Sequence, residues 1–205
     1  MPSLIARLAA VLLALATALM LASCTSTPAS DGHTDHQHPD EPVISGQPAG
    51  YNAADVAFAT DMIPHHEQAV ELSALVPERS VNPELKALAD QISKAQEPEI
   101  RTMQVLLVQW KENPDAATGH GGHEGHGGAM QGMVDDATMA KLQTLSGAEF
   151  DTLWLQSMIA HHQGAIEMAR AELDNGENAD AKRLAQTIVD TQQAEIDQMN
   201  QMLRG

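Results

Sequence analysis

The residues of this chain best equipped for chemistry are its histidines, and they come in clusters. All ten fall into four groups: His33/His36/His38, His65/His66, His120/His123/His126 and His161/His162. The first and third groups lie in sequence rich in Gly, Pro, Ser or Thr, a composition that collects metal ions loosely. The other two are adjacent pairs within helix-forming sequence. Met62 and Met158 precede them by three and four residues, which on a helix puts a thioether and an imidazole on one face. That ligand set favours copper, Cu(I) above all, over zinc or iron. Methionine is also a generic core filler, and a single core histidine is usually a satisfied structural residue. The pairs carry weight because the pattern occurs twice.

The repetition extends along the helices that must position these side chains. At a constant offset of 96 residues, Asp55, Phe58, Met62, Ile63, His65, His66, Ala69 and Glu71 align with Asp151, Trp154, Met158, Ile159, His161, His162, Ala165 and Glu167. The following segment keeps the offset, so that Gln96, Glu99, Ile100 and Met103 align with Gln192, Glu195, Ile196 and Met199. Repeats of this kind set the architecture before any motif is interpreted. Phe58, Met62, His65, Ala69 and Leu72 are spaced 4, 3, 4, 3, the seam of a buried bundle helix, and Trp154, Met158, His161, Ala165 and Met168 repeat it. Glu99 and Glu195 interrupt the apolar seams of the partner helices. A buried carboxylate costs several kcal/mol unless it is paired or coordinates something.

Two partners for those carboxylates stay open. One is a Glu–His hydrogen bond between helices, which would make this a non-catalytic scaffold or interaction protein of the envelope. The other is a metal, held by His65, His66, His161, His162, Met62, Met158, Met103, Met199, Glu99 and Glu195, with His120, His123 and His126 as looser loop ligands. Copper is the expected ion, another divalent transition metal the alternative, and sequestration or hand-over the expected role rather than turnover, with a redox enzyme as the weakest alternative. Imidazole must be neutral to ligate, so binding is expected to weaken below about pH 6. Di-iron chemistry needs Glu-x-x-His, whereas Met62, Ile63, Met158 or Ile159 stands three residues before each histidine. No G-x-S-x-G or Gly-rich phosphate loop supports other catalysis.

The elements follow from local signals. A first helix is expected over 52–76, stopped by Pro77, and a second opened by Asn82 as N-cap with Pro83 next to it. A short helix over 136–145 leads to a third long one opened by a Ser146/Glu149 capping box, closed at Asn175-Gly176, and a last one capped by Asn178. Pro64 and Pro98 lie inside helices beside His65 and Glu99, where Ala160 and Ala194 stand in the other half, and invite a kink. The fold class is all-α: a four-helix bundle of two tandem hairpins (51–112 and 134–205) around a Gly/His-rich loop (113–133).

The N-terminal part reads differently. An apolar run over 8–21 fits a signal-peptide core over 1–23, and Leu21-Ala22-Ser23-Cys24 resembles a bacterial lipobox, making Cys24 the lipidated first mature residue. Residues 24–50 read as a disordered tether. The protein is thus expected on the extracytoplasmic face of a bacterial membrane, held by its lipid, with metal ions as partners and the identity of any protein partner open. Its formal net charge of −17 argues against nucleic acid.

The doubled Met-Ile-x-His-His motif, with Ala69 and Ala165 after it and Gln-x-x-Glu-Ile-x-x-Met in the following helices, resembles the family catalogued as domain of unknown function 305, over roughly residues 51–204. The resemblance implies a ferritin-like helical bundle, usually exported, with some members implicated in copper binding or resistance. Ser73-Ala74-Leu75-Val76-Pro77 departs from the alanine-rich helix end at Ala169-Arg170-Ala171-Glu172-Leu173.

Overall fold

The computed structural model describes residues 50–111 and 131–205. Cys24, the signal-peptide and tether expectations, and the loop histidines His120, His123 and His126 lie outside these residues. All regular structure in the described residues is helical: α1 (Ala53–Arg79), α2 (Pro83–Gln109), the short α3 (Asp136–Leu142), α4 (Gly147–Asn175) and α5 (Ala179–Arg204). None of these helices is long and apolar enough to cross a membrane.

Each helix starts for a local reason. Asn52 caps α1 in a reciprocal box, its side chain accepting from Ala54 and Asp55 N–H while Asp55 accepts from the Asn52 N–H at 2.7 Å. Asn82 and Asn178 cap α2 and α5 in the same position of each half. Two expected boundaries shift. α1 runs through Pro77 to Arg79, because proline forfeits only the bond to the Ser73 carbonyl and its own φ is helical. Ser146 precedes α4 but makes no side-chain cap bond; the chain enters through Gly147 at φ +61, a left-handed turn that replaces the capping box. The lead-in helix ends at Leu142, three residues short of expectation. α1 and α2 run through Pro64 and Pro98 as single helices.

Three-residue turns fold α1 against α2 and α4 against α5, and α1 also packs along α4, whereas α2 and α5 meet at few points. Burial follows the seams. One apolar cluster gathers Leu72, Leu85, Ile92, Phe150, Trp154 and Met158; the other gathers Phe58, Met62, Ile63, Met103, Leu107 and Ile188. Each such side chain contributes about 1.5–3 kcal/mol when fully buried. Trp154 also donates its indole N–H to the Leu72 carbonyl at 2.8 Å, tying α4 to α1.

The end of the bundle is tied by polar groups. The buried Asp55 carboxylate accepts from the backbone of Glu177 (3.1 Å) and Asn178 (2.8 Å), so the start of α1 holds the α4–α5 turn. Burial pushes this carboxyl up, but the bonds from Asn52, Asn178 and Glu177 outweigh it and hold it below the ordinary range.

Candidate functional site

The histidine pairs lie where the two apolar clusters divide. On α1 they fall between Ile63 and Ala69, which belong to different clusters, and on α4 between Met158 and Ala165. All four imidazoles are fully buried. The sequence left open whether the two halves form separate sites; the structure brings them together, with the His65 and His161 rings tilted by 41° at a centroid distance of 3.8 Å.

The outer histidines meet the glutamates. His66 Nε2 lies 2.8 Å from Glu99 Oε2, and His162 Nε2 lies 2.8 Å from Glu195 Oε2. A carboxylate oxygen accepts, so each Nε2 carries the proton and each Nδ1 the lone pair. His65 donates its Nε2–H to the Gln131 carbonyl at 3.2 Å, with the same consequence for its Nδ1. His161 has no partner at either nitrogen, and the Nδ1 atoms of His65, His66 and His162 have none either. Five buried imidazole nitrogens therefore lack hydrogen-bond partners. The halves are not equivalent. The Glu195 side chain is 2% exposed and also accepts from Gln91 at 3.3 Å, whereas that of Glu99 is 13% exposed.

Burial disfavours the charged form of His65, His161 and His162. It pushes His65 down to about 3, with His66 adding to the effect, and takes His161 well below the ordinary imidazole range. His162 is lowered by burial and partly restored by Glu195. Protonation of His65, His161 and His162 is thereby moved below the range of a free imidazole.

Met62 and Met103 are fully buried in one apolar cluster, and Met158 and Met199 in the other. The thioethers thus flank the histidine layer within the core. Among the described residues, no three His, Cys, Asp or Glu side chains are arranged to hold a metal ion. Gln96 and Gln192, one turn before the glutamates, are 2% exposed, and each has a side-chain atom without a partner. They extend the polar layer along α2 and α5.

Sequence patterns missed the groups that close this layer. The Gln68 side chain binds the backbone of Val134 twice, at 2.9 and 2.8 Å. Gly132, at φ +86, lies against α4, and a Cβ there would meet the Ala160 carbonyl at 2.6 Å. Gly164 and Gln68 stand 96 residues apart, and this break between the histidine pairs and the aligned Ala69/Ala165 was the available signal.

Comparison with known proteins places this arrangement. No curated protein matches the chain. A DUF305 fragment from Deinococcus radiodurans is similar, with 35% identity and a TM-score of 0.65 over 74% of this chain and 96% of that one. A DUF305 protein from Streptomyces coelicolor, described as secreted, has 35% identity and a TM-score of 0.64 over 74% and 92%. CopM in its Cu(II)-bound form has 34% identity and a TM-score of 0.62 over 73% and 95%, and its Cu(I)-bound form 31% and 0.59. The sequence model of the family described as "Domain of unknown function (DUF305)" matches residues 55–203, and the chain belongs to that family.

Proposed function

We propose that this protein binds a soft metal ion, copper as Cu(I), at the buried histidine layer, and that it sequesters or hands over that ion outside the cytoplasm without turning over a substrate. The observation that carries the reading is the set of five unpartnered imidazole nitrogens. A buried polar atom left without a partner costs about 1–3 kcal/mol, so a fold that keeps several together has a use for them. His65, His66 and His162 spend Nε2–H on a carbonyl or carboxylate and leave Nδ1 as a lone pair. That is how metal-ligating histidines are oriented from behind.

A soft monovalent ion suits the donors better than zinc or iron. It accepts thioethers, which Met62, Met103, Met158 and Met199 supply nearby, and it needs fewer ligands than a tetrahedral zinc site. Structures of CopM with copper support this reading. Anchoring through a lipid on Cys24 would place the bundle on the outer face of the membrane, with His120, His123 and His126 as looser collectors.

A second reading has its own observation. Both glutamates already have a histidine at 2.8 Å, which would set helix register with no ion at all. His161 separates the two, because it pairs with neither glutamate and neither of its ring nitrogens has a well-formed hydrogen bond. Under the metal reading, Cu(I) added under reducing conditions raises the melting temperature of the unmutated protein. An ion at 100 times its Kd stabilises by about 2.7 kcal/mol, or roughly 5–10 °C for a bundle of this size. His161→Leu should melt as high as the parent without copper and lose that increment. His120/His123/His126→Ala should keep most of it. If no soft ion moves the melting temperature of the parent, the scaffold reading replaces this one.

A further inference from the structure

We propose that residues 131–134 form a displaceable strap over the histidine layer, and that an ion reaching or leaving His65 passes by lifting it. The inference rests on the metal-binding reading for the identity of the cargo, but not for the cover itself.

The strap spans both central helices. At its start, the Gln131 carbonyl accepts from His65 Nε2 on α1, while the Gln131 side is exposed to solvent and His65 beneath it is fully buried. Its middle, Gly132, lies on α4: a Cβ there would meet the carbonyls of Ala160 and His161 at 2.6 and 3.0 Å and the Gly164 Cα at 3.0 Å. Its far end, Val134, returns to α1 through the two bonds from Gln68. The strap thus crosses the line where the His65 and His161 rings meet.

What holds it is small. Two neutral hydrogen bonds from the partly buried Gln68, the His65 bond, the fit of two glycines and the packing of the partly buried Val134 against one apolar cluster fix its position. A neutral hydrogen bond contributes a net 0.5–1.5 kcal/mol or so, which makes lifting the strap far easier than opening the helical core. Gly132 at φ +86 holds a conformation that only glycine adopts without strain, and it sits in the middle of the segment that must turn.

The departure from repetition falls at this point. The Met-Ile-x-His-His motif and the Ala and Glu after it match at an offset of 96, yet among them Gln68, which grips the strap, corresponds to Gly164, which makes room for it. A Cβ on Gly164 would collide with the Gln131 carbonyl and the Gly132 Cα. One half supplies the clamp and the other the seat, so among the described residues the strap lies on one side of the layer.

Two variants lift the strap by different routes, Gln68→Ala by removing the clamp and Gly164→Ala by filling the seat. Two readouts follow it in the full chain. The first is the rate at which diethyl pyrocarbonate modifies His65 without metal, mapped by mass spectrometry. The second is the rate at which Ag(I) passes from the loaded protein to an excess of a chromophoric chelator. Loss of the Gln68 bonds should raise both by roughly tenfold, the equivalent of one to two neutral hydrogen bonds. Gly164→Ala should raise both as well, with silver stoichiometry and helical circular dichroism unchanged. Should Gly164→Ala lose helicity, Gln68→Ala decides alone, since its side chain lies partly at the surface. Equal modification rates in all three proteins overturn the strap. Faster modification with unchanged silver transfer overturns it as the route of the ion. If the parent takes up no silver, the metal reading falls and the route with it, while the modification rates still decide whether the strap covers His65.

Discussion

Glu172 is buried beside Asp55, and the position 96 residues before it holds Val76. Burial, then the neighbouring Asp55 carboxylate, pushes the Glu172 carboxyl from an ordinary 4.5 up to about 8, with Lys182 pulling weakly the other way. The folded protein therefore holds a proton that the unfolded chain has lost. Between about pH 4.5 and 8 the folded state binds more protons, so stability falls as pH rises through this window. The contribution is complete below the lower value and gone above the upper one. Glu172→Gln imitates the protonated form and should remove this slope. Urea midpoints at pH 6 and pH 9 would test it: the parent should lose stability between them, and the variant should lose clearly less at an unchanged m-value. Equal losses in both proteins would show that another group sets the alkaline limb. The mismatch with Val76 was visible in the aligned halves, yet a single acidic residue in a helical pattern does not reveal that its neighbour is another carboxylate.

At the level of helices, spacing carried most of the information. The 4-3-4-3 seams of α1 and α4 are buried where expected except at Met168, which is only partly buried, because side-chain direction on a helix follows from position alone. Boundaries were less legible. Pro77 and Ser146 look like a stop and a cap, but whether a proline ends a helix or a serine caps one depends on the backbone angles of the residues around it. Tertiary contacts were least legible: nothing local announces that Trp154 reaches the Leu72 carbonyl. The corresponding position holds Phe58, whose ring has no such donor, and there Phe58, Met168 and Glu172 line a cavity of about 170 Å³ between α1 and α4. Trp154→Phe should destabilise by about 1–3 kcal/mol, through a lost hydrogen bond and a small void. Thermal melts would check it, and a change within error would mean that the indole bond contributes nothing net.

In the molecule as a whole, the site was legible in kind but not in assembly. Residue types and spacing named the four histidines and both glutamates. They could not say that the pairs from the two halves meet, because sequence offsets do not tell which faces of two hairpins come together. The strap was out of reach for the same reason, as its contacts join residue 131 to residue 65 and residue 134 to residue 68. The meeting of His65 and His161 across α1 and α4 has a consequence for pieces of the chain. Residues 50–111 produced alone should pair with a second copy of themselves, setting one His65 against another, and Ag(I) should tighten that association. Sedimentation at several concentrations would measure it; a monomer with and without silver would count against the shared layer.

Such a homodimer would also show what the covalent join permits. In a symmetric pair every substitution appears twice, once in each subunit. Within one polypeptide the mirror can be broken at single places, with Gln68 opposite Gly164, Phe58 opposite Trp154 and Val76 opposite Glu172. A palindrome cannot have a front door; a chain that spells its two halves differently can.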